Sequence, residues 1–314
     1  MANGELIYGV DTFQLYGVET TYGTAATPDT HLGLVQENSP TLSRNLRQIK
    51  ASKGDGSGGQ ETVATLGGSL DGGLSIPFKP INFDHLQYIL GSRTGSGTGA
   101  DPYIYTRDDK PSTLTITENL DNVDDDDVLE FLGCACERWQ LRSGTDEEPQ
   151  ITMDFNVKDF TIDSTLNTNT SLPSGDPYNF DGFSLEAPDG TTIDNIITTV
   201  SISITREGRF RKGMSYTNQS YGFGGISFEI TFDAKYLDTH FLEKFASGTS
   251  GITTPTSYAT AALKFTNGAN KYVDFVFTDV FIPQDNLTGR INDDLNESVT
   301  MHAHSLTVTE QQSA

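Results

Sequence analysis

Two neighbouring segments decide the fold: GGLSIPF at residues 72–78 and NFDHLQYILG at residues 82–91. In the first segment Leu74, Ile76 and Phe78 place an apolar side chain at every second position, which predicts a strand with one buried face. In the second segment the spacing of Phe83, Leu86 and Leu90 predicts one apolar face of a short helix. The sequence therefore predicts a strand that leads directly into a short amphipathic helix.

The same pair of segments occurs a second time, as GGISFEITF at residues 224–232 and YLDTHFLEKF at residues 236–245. Here the strand pattern ends at Phe232, and the helix face consists of Leu237, Phe241 and Phe245. The recurrence of the same strand and helix pattern in the same order indicates an internal duplication.

The flanking strands follow the same order in both halves, with Phe78 aligned to Phe232, Phe131 to Phe275 and Met153 to Met301. Upstream, residues 41–47 are aligned with residues 199–206, and downstream residues 114–117 are aligned with residues 263–266. The predicted organisation consists of an N-terminal arm with the first strands at 1–40, a first copy at 41–166, a linker at 167–177 and a second copy at 178–314. The linker is polar and carries two prolines, which is typical of an inter-domain segment.

Charge excludes strong binding to nucleic acid phosphates, because 43 acidic residues face 20 basic ones and the formal net charge is −23. An acidic surface would let DNA pass without adhering, and it would also keep a protein soluble in concentrated salt. The sequence leaves both explanations open, so a halophilic host stays possible as an interpretation.

No constellation of residues predicts catalysis, a cofactor or a metal. Cys134 and Cys136 have no second pair of cysteines to complete a zinc site, and their apolar neighbours favour buried free thiols. The acidic run at residues 121–127 lacks the glycine of a calcium-binding loop, and His302 and His304 lack a third ligand. Trp139 could stack on a sugar, but packing within a sheet is favoured. We therefore expect a protein that is not an enzyme.

The segment YGVETTYGTA at residues 16–25 resembles the start of many tail tube proteins of long-tailed phages, in which Glu-x-x-x-Gly-Thr-Ala precedes the first tube strand. The resemblance continues through the single helix between sheets and through residues 133–163, with their strand, turn and long alternating strand. The chain thus resembles the major tail tube protein of a siphovirus-type phage or archaeal virus, of the kind with a duplicated tube domain.

The resemblance implies a mostly β fold with two tandem tail-tube-type domains, each a β-sandwich or split barrel with one short flanking helix. Such domains complete a β-barrel lumen when rings assemble. A duplicated chain implies a homotrimeric ring with six-fold pseudo-symmetry, with a homohexamer as the second possibility. Further implied partners are stacked rings, the tape measure, terminator and distal tail proteins, and DNA that crosses the lumen without specific binding.

We expect the protein to be made in the host cytoplasm and to reside in the virion tail, since the N-terminus lacks the pattern of a signal peptide and no long apolar run suggests a membrane span. The candidate contacts between rings or subunits lie in two loops and are listed as Lys53, Gly54, Asp55, Gly56, Gln60, Arg209, Arg211, Lys212 and Tyr216. Two alternatives stay open: a secreted acidic carbohydrate-binding or glycoside-active β-sandwich, and a baseplate hub built on the same domain.

Overall fold

The computed structural model describes the following residues: 12–35, 39–44, 47–52, 60–66, 70–120, 127–145, 147–163, 165–168, 177–178, 183–186, 197–212, 218–235, 240–246, 257–268, 270–288 and 295–313. These residues are mostly in strands, so the predicted mostly β class is confirmed. The candidate residues Lys53, Gly54, Asp55, Gly56, Tyr216 and Leu237 lie outside the described residues, as does most of the acidic run.

The first half contains twelve strands and one helix among its described residues. They are β1 (Thr12–Val18), β2 (Leu34–Val35), β3 (Ser39–Arg44), β4 (Arg47–Ser52), β5 (Gln60–Leu66), β6 (Leu70–Lys79), α1 (Gln87–Leu90), β7 (Gly91–Thr94), β8 (Tyr103–Arg107), β9 (Leu114–Leu120), β10 (Asp127–Gly144), β11 (Gln150–Val157) and β12 (Asp159–Asp163). The described residues of the second half contain β13 (Phe183–Glu186), β14 (Ile197–Lys212), β15 (Asn218–Lys235), α2 (His240–Ala246), β16 (Tyr258–Thr266), β17 (Tyr272–Thr288) and β18 (Asn296–Gln311).

Sixteen of the strands form one antiparallel sheet, and β4 and β5 form a separate hairpin ladder. The main path of the sheet runs β2-β6-β11-β10-β14-β15-β18-β17-β16-β13. Strand β3 pairs with the same edge of β6 as β2 does, further along the strand. Two ladders join the halves: β10 pairs with β14, from Arg138 opposite Thr205 to Gly144 opposite Thr199, and β8 pairs with the end of β18.

Strand β10 belongs to two layers, because its first half pairs with β9 and β12 and its second half pairs with β11 and β14. The change occurs beside Gly133, whose φ of 63° is unfavourable for residues with a side chain. A Cβ on Gly133 would also stand 2.6 Å from the Lys158 side chain. Bulges of this kind bend a strand and let it pass from one layer to the next.

The strand order of the two halves can be compared directly. In the first half the neighbours run β3-β6-β11-β10-β9-β1, and in the second half they run β14-β15-β18-β17-β16-β13. Ile76 pairs with Met153 in the first half, and Ile230 pairs with Met301 in the second. These are the residues that the sequence alignment places at equivalent positions.

Two strands have a register that differs from the sequence alignment. Thr41 lies opposite Gly73, and Thr205 lies opposite Ser227, which is the residue equivalent to Gly73 in the second half. The ladders therefore align Thr41 with Thr205, whereas the sequence alignment places it with Thr199, six residues earlier. The Ser- and Thr-rich sequence of these strands has too few apolar residues to fix a register. Similarly, Ile116 lies opposite Phe131, and Leu263 lies opposite the equivalent Phe275. The ladders therefore align Ile116 with Leu263, two residues before the Phe265 of the sequence alignment.

The helix of the first half is shorter than the apolar pattern suggests. A 3₁₀ turn at Asp84–Leu86 precedes the single α turn of α1, which ends at Gly91 with a φ of 106°. A glycine in the left-handed region is the usual residue that terminates a helix. Phe83, Leu86 and Leu90 are all buried; in α2, Phe241 is buried and Phe245 packs partly buried against the same core.

The core continues from one half into the other. The ring of Phe83 lies 6.4 Å from Trp139 of the first half and 5.7 Å from Phe275 of the second, measured between centroids. Trp139 is fully buried, so it presents no sugar-stacking surface. His85 stacks on Trp139, and burial lowers the pKa of His85 to about 3, which keeps it neutral. Cys134 and Cys136 are buried free thiols, as the sequence favours.

Candidate assembly surfaces

The long β14–β15 hairpin carries the sequence-predicted contact residues that the structure describes. Arg209 and Arg211 are exposed on β14, and the last residue of that strand is Lys212. Gln60, the remaining described candidate, begins β5 in the other hairpin. The structure therefore places the described contact candidates on two separate hairpins, one in each half, and brings none of them into a shared cluster.

Aromatic residues stiffen the β14–β15 hairpin. Phe210 pairs with Tyr221 across the ladder, and the two rings lie 5.2 Å apart in an edge-to-face arrangement. Tyr221 also contacts Phe223 and donates a hydrogen bond to Glu137 of β10. Burial raises the pKa of Tyr221, so its hydroxyl remains a donor. These contacts hold the base of the hairpin against the first half.

Arg206, on β14, connects the second half to the helix of the first. Its Nη1 donates to the carbonyl oxygens of Ile89 at 2.8 Å and Leu90 at 3.3 Å, and its Nη2 donates to the carbonyl of Asp108. The side chain is buried and lies over the ring of Phe223. Because the last carbonyls of a helix lack partners within the helix, a cation at this position satisfies them and complements the helix dipole. Arg206 is therefore a structural anchor, which sequence patterns did not reveal.

Glu310, near the end of β18, connects the two halves a second time. Its carboxylate accepts the backbone N–H of Phe83 at 2.9 Å and the hydroxyl of Tyr105 at 2.8 Å. The residue is completely buried, and this burial raises the pKa of Glu310 to about 7, with the nearby Asp84 acting in the same direction. The bonds from Tyr105 and from the Phe83 amide act in the opposite direction. This anchor therefore titrates near neutral pH.

The Glu19-x-x-x-Gly23 motif forms a closed hydrogen-bonded turn. The carboxylate of Glu19 accepts the backbone N–H of Gly23 at 2.7 Å and that of Gly133 at 2.8 Å. It also accepts the hydroxyls of Thr113 at 2.7 Å and Thr115 at 3.1 Å. Four donors from three segments thus meet on one buried carboxylate, which positions the N-terminal segment against β9 and β10.

A groove of about 640 Å³ lies between this N-terminal segment and the β14–β15 hairpin. Its lining includes Tyr22, Pro111, Arg211, Tyr221 and Phe223. The groove therefore lies along one side of the hairpin, and its lining contains both Arg211 and aromatic residues.

One face of the eight-strand layer from β3 through β17 carries polar and charged side chains; we call it the polar face. Its described members alternate with the buried core residues and include Ser75, Lys79, Arg138, Gln140, Arg142, Thr152, Asp154, Ser201, Ser203, Ser227, Glu229, Thr231, Asp233, Thr300, His302, Gln284 and Asn286. Ser75 donates to Asp154 at 2.6 Å, and Gln140 donates across the junction of the halves to Ser201 at 3.1 Å.

Charges of both signs are present on the polar face, with Asp154, Glu229 and Asp233 balanced by Lys79, Arg138 and Arg142. His302 lies 3.2 Å from Glu229. The excess acidity of the chain is therefore carried largely by residues outside this face.

The described residues include no cluster of three or more potential metal ligands and no helix long and apolar enough to cross a membrane. A family model described as phage tail tube protein matches residues 9–303 of the chain. The chain belongs to the phage tail tube protein family. The comparison with curated proteins gives no match.

Membership of this family confirms the expectation of a structural component of the virion tail that assembles with itself and with other tail components. In this tail tube protein the motif that carried the resemblance coincides with the Glu19 turn. Its glutamate and glycine are needed together, because the carboxylate binds the Gly23 amide, and Gly23 has a φ of 66° that a larger residue would find strained.

Proposed function

We propose that this tail tube protein carries two copies of the tube domain, that three chains form a ring with six-fold pseudo-symmetry, and that stacked rings form the tube of a long-tailed virus. Viral DNA would leave through the lumen. The main support is the repeated strand order, β3-β6-β11-β10-β9-β1 and β14-β15-β18-β17-β16-β13, with Ile76 and Met153 paired in one copy as Ile230 and Met301 are in the other.

The junction between the halves suggests how the ring is formed. Strand β10 at the end of the first four-strand layer pairs with β14 at the start of the second, so the two copies already share one continuous sheet. A ring of six copies would contain about 24 such strands. At a spacing of about 4.8 Å, this gives a barrel of about 37 Å between opposite backbones before the strands tilt. Tilt widens the barrel, which leaves room for a DNA duplex.

The polar face is the surface we assign to the lumen. Its side chains are mostly Ser, Thr, Gln and Asn, and acidic residues on it have partners on the same face, as Asp154 has in Ser75 and Glu229 has in His302. Because the acidic and basic side chains on this face are balanced in number, it has no excess of cations to hold phosphates, and DNA would move along it without adhering. This differs from a strongly acidic lumen, which the composition alone suggests.

Stacking of rings requires a head-to-tail contact, because only a heterologous contact extends a filament. The two hairpins, with Arg209 and Arg211 on one and Gln60 on the other, are the proposed contact elements. The tape measure, terminator and distal tail proteins are proposed partners at the tube ends.

Electron microscopy of the purified chain tests this function. We expect tubes of constant width whose cross-sections have three-fold symmetry and six-fold pseudo-symmetry, and native mass spectrometry of short assemblies should give multiples of three chains. A protein that remains a monomer at every concentration and salt level tested would contradict the proposal.

A double variant, Arg209→Glu with Arg211→Glu, tests the stacking contact. It should leave single rings and remove long tubes, because two exposed positive charges on the hairpin are reversed. The matched control, Arg138→Glu with Arg142→Glu, reverses two charges on the polar face and should still form long tubes. Equal tube lengths for the two double variants would exclude the hairpin as a stacking contact.

A further inference from the structure

The β7–β8 hairpin, residues 91–107, belongs to the first half of the chain but is held by the second. Its described ladder outside the hairpin is the pairing of β8 with the end of β18. Beyond β18, the backbone N–H groups of Gln312 and Ser313 donate to the carbonyl oxygen of Gly97 at 2.9 Å and 3.2 Å. We call residues 308–313 the C-terminal latch, because they fasten this hairpin to the second half.

The base of the hairpin is attached independently of the latch. The backbone N–H of Asp108 donates to the carbonyl oxygen of Leu90 at 2.7 Å, and Arg206 donates to the carbonyl of Asp108. Elements that are paired along one edge can open locally, at a lower free energy than the interior of a sheet. Loss of the latch would therefore free the outer part of the hairpin while its base stays in place.

Glu310 is the ionisable side chain of the latch. Its carboxylate accepts hydrogen bonds from the backbone N–H of Phe83 and the hydroxyl of Tyr105, and both donors belong to the first half. On the ladder Glu310 lies opposite Tyr103, and the guanidinium of Arg93 is 4.7 Å from the ring centroid of Tyr103. The Glu310 side chain is completely buried in this contact. Because a buried charge is costly, the strength of the latch depends on whether Glu310 carries a proton.

Asp84 adds a second carboxylate to this contact. The hydroxyl of Tyr105 lies 3.3 Å from Asp84 Oδ1 and 2.8 Å from Glu310 Oε2, so the two carboxyl groups flank one hydroxyl. Asp84 Oδ1 is also 2.7 Å from Arg93 Nη1, and the side chain of Gln312 donates to the same oxygen at 3.3 Å. Arg93 therefore balances Asp84, whereas an ionised Glu310 forms no ion pair in the described part of the chain.

Further ionisable groups around Glu310 keep one charge state. Burial raises the pKa of Tyr105 and of Tyr178, so both hydroxyls keep their protons. Burial lowers the pKa of His85 to about 3, so this side chain stays neutral. Lys271 lies over the ring of Tyr178, with its Nζ 4.8 Å from the ring centroid. Glu310 is therefore the group in this contact whose charge changes near neutral pH.

The equivalent position of the first half shows that the fold does not require a carboxyl there. Leu129 lies opposite Ile162 in the first half. The corresponding Val273 lies opposite Glu310 in the second half. Ile162 is therefore the equivalent of Glu310, and it is 66% exposed. A buried carboxyl where the other copy has isoleucine is a local departure from the packing rule, and such departures are expected at functional positions.

We propose that the C-terminal latch is a pH-sensitive device: it holds the β7–β8 hairpin on the second half while Glu310 carries a proton, and the hairpin opens about its base when Glu310 ionises. A protonated Glu310 still accepts the Phe83 N–H, and its own O–H can donate to the Tyr105 oxygen while the Tyr105 hydroxyl turns to Asp84. A charged Glu310 instead leaves two carboxylates on either side of that hydroxyl.

Opening should increase with pH. Burial raises the pKa of Glu310 to about 7 in the closed form, whereas the exposed side chain of the open form would regain its ordinary value of 4.5. The latch therefore has its full strength below pH 4.5 and loses it as the pH rises to about 7. From pH 5 to pH 8 the equilibrium constant for opening should increase about 70-fold. The inference concerns a single chain and does not depend on the proposed ring.

Amide hydrogen exchange of the chain between pH 5 and pH 8 tests the latch. Wild type and Glu310→Gln, which cannot ionise at this position, are compared at each pH, so the intrinsic pH dependence of exchange cancels in the ratio of their rates. The reporting amides are those of β8, Gln312 and Ser313. Amides of the β10–β14 ladder report global unfolding in the same sample, and Glu147→Gln, at an exposed carboxylate, is the matched control variant.

We expect the exchange rate of the reporting amides in wild type, divided by the rate in Glu310→Gln, to rise about 70-fold from pH 5 to pH 8. The reporting amides should exchange faster than the β10–β14 amides at every pH, because they open locally. The Glu147→Gln control should exchange at the wild-type rates.

Two results would overturn the inference. A ratio that stays constant with pH would show that ionisation of Glu310 does not control the hairpin. One common rate for the reporting amides and the β10–β14 amides would show that the hairpin opens only when the whole chain unfolds.

Discussion

Substitution of Glu310 by Gln should remove a large pH dependence of stability. The wild-type carboxyl has a pKa of about 7 in the folded chain against an ordinary value of 4.5. Between these values the folded protein holds a proton that the unfolded chain has released, so the unfolding free energy decreases as the pH rises. From pH 5 to pH 8, this group alone should lower the unfolding free energy by about 2–3 kcal/mol.

Glutamine reproduces the protonated form of Glu310. Its Oε1 can accept the Phe83 N–H, and its amide group can donate to the Tyr105 oxygen, while the Tyr105 hydroxyl turns to Asp84 Oδ1, which lies 3.3 Å away. The variant should therefore match the wild type at pH 5 and exceed its stability by about 2–3 kcal/mol at pH 8.

The assay is urea unfolding of dilute protein, followed by the fluorescence of Trp139, the one tryptophan in the sequence. Trp139 is buried and lies 6.4 Å from Phe83, so it reports directly on the packing that Glu310 anchors. Glu147→Gln, at an exposed carboxylate, is the matched control and should leave the pH profile unchanged. A constant difference between wild type and Glu310→Gln from pH 5 to pH 8 would refute the reasoning.

Substitutions at three further residues test other buried polar groups. Glu19→Ala should lower the unfolding free energy by about 3–5 kcal/mol, because two amides and two hydroxyls lose their acceptor, and Glu19→Gln should cost less; thermal unfolding would distinguish them. Arg206→Met should lower the unfolding free energy by about 2–4 kcal/mol in urea unfolding, because the carbonyls at the end of α1 lose their donor. An unchanged unfolding free energy would exclude the anchoring role of Arg206. Asp285→Asn should raise the melting temperature more at neutral pH than at acidic pH below the ordinary carboxyl value of 3.8, because burial raises the pKa of Asp285 and ionisation in the folded state is therefore unfavourable. An opposite pH trend would contradict that assignment.

The part of the fold that sequence could predict is the part with strict apolar alternation. Leu74, Ile76 and Phe78 fix both the buried face and the register of β6, so the alignment of Ile76 with Ile230 agrees with the ladders. In β3 the apolar signal is weak, and the alignment of Thr41 differs from the ladder by six residues. Register can be predicted only where one face of a strand must be buried.

The buried charged residues could not be predicted in the same way. Arg206 precedes a charged segment and Glu310 lies near the C-terminus, positions where a charged side chain is ordinarily solvated. What buries them is the other half of the chain, since Arg206 binds carbonyls of α1 and Glu310 binds the amide of Phe83. Such contacts depend on tertiary structure and leave no local periodicity. Glu19 is intermediate, because its motif is visible in the sequence while its donors Thr113 and Gly133 come from distant strands.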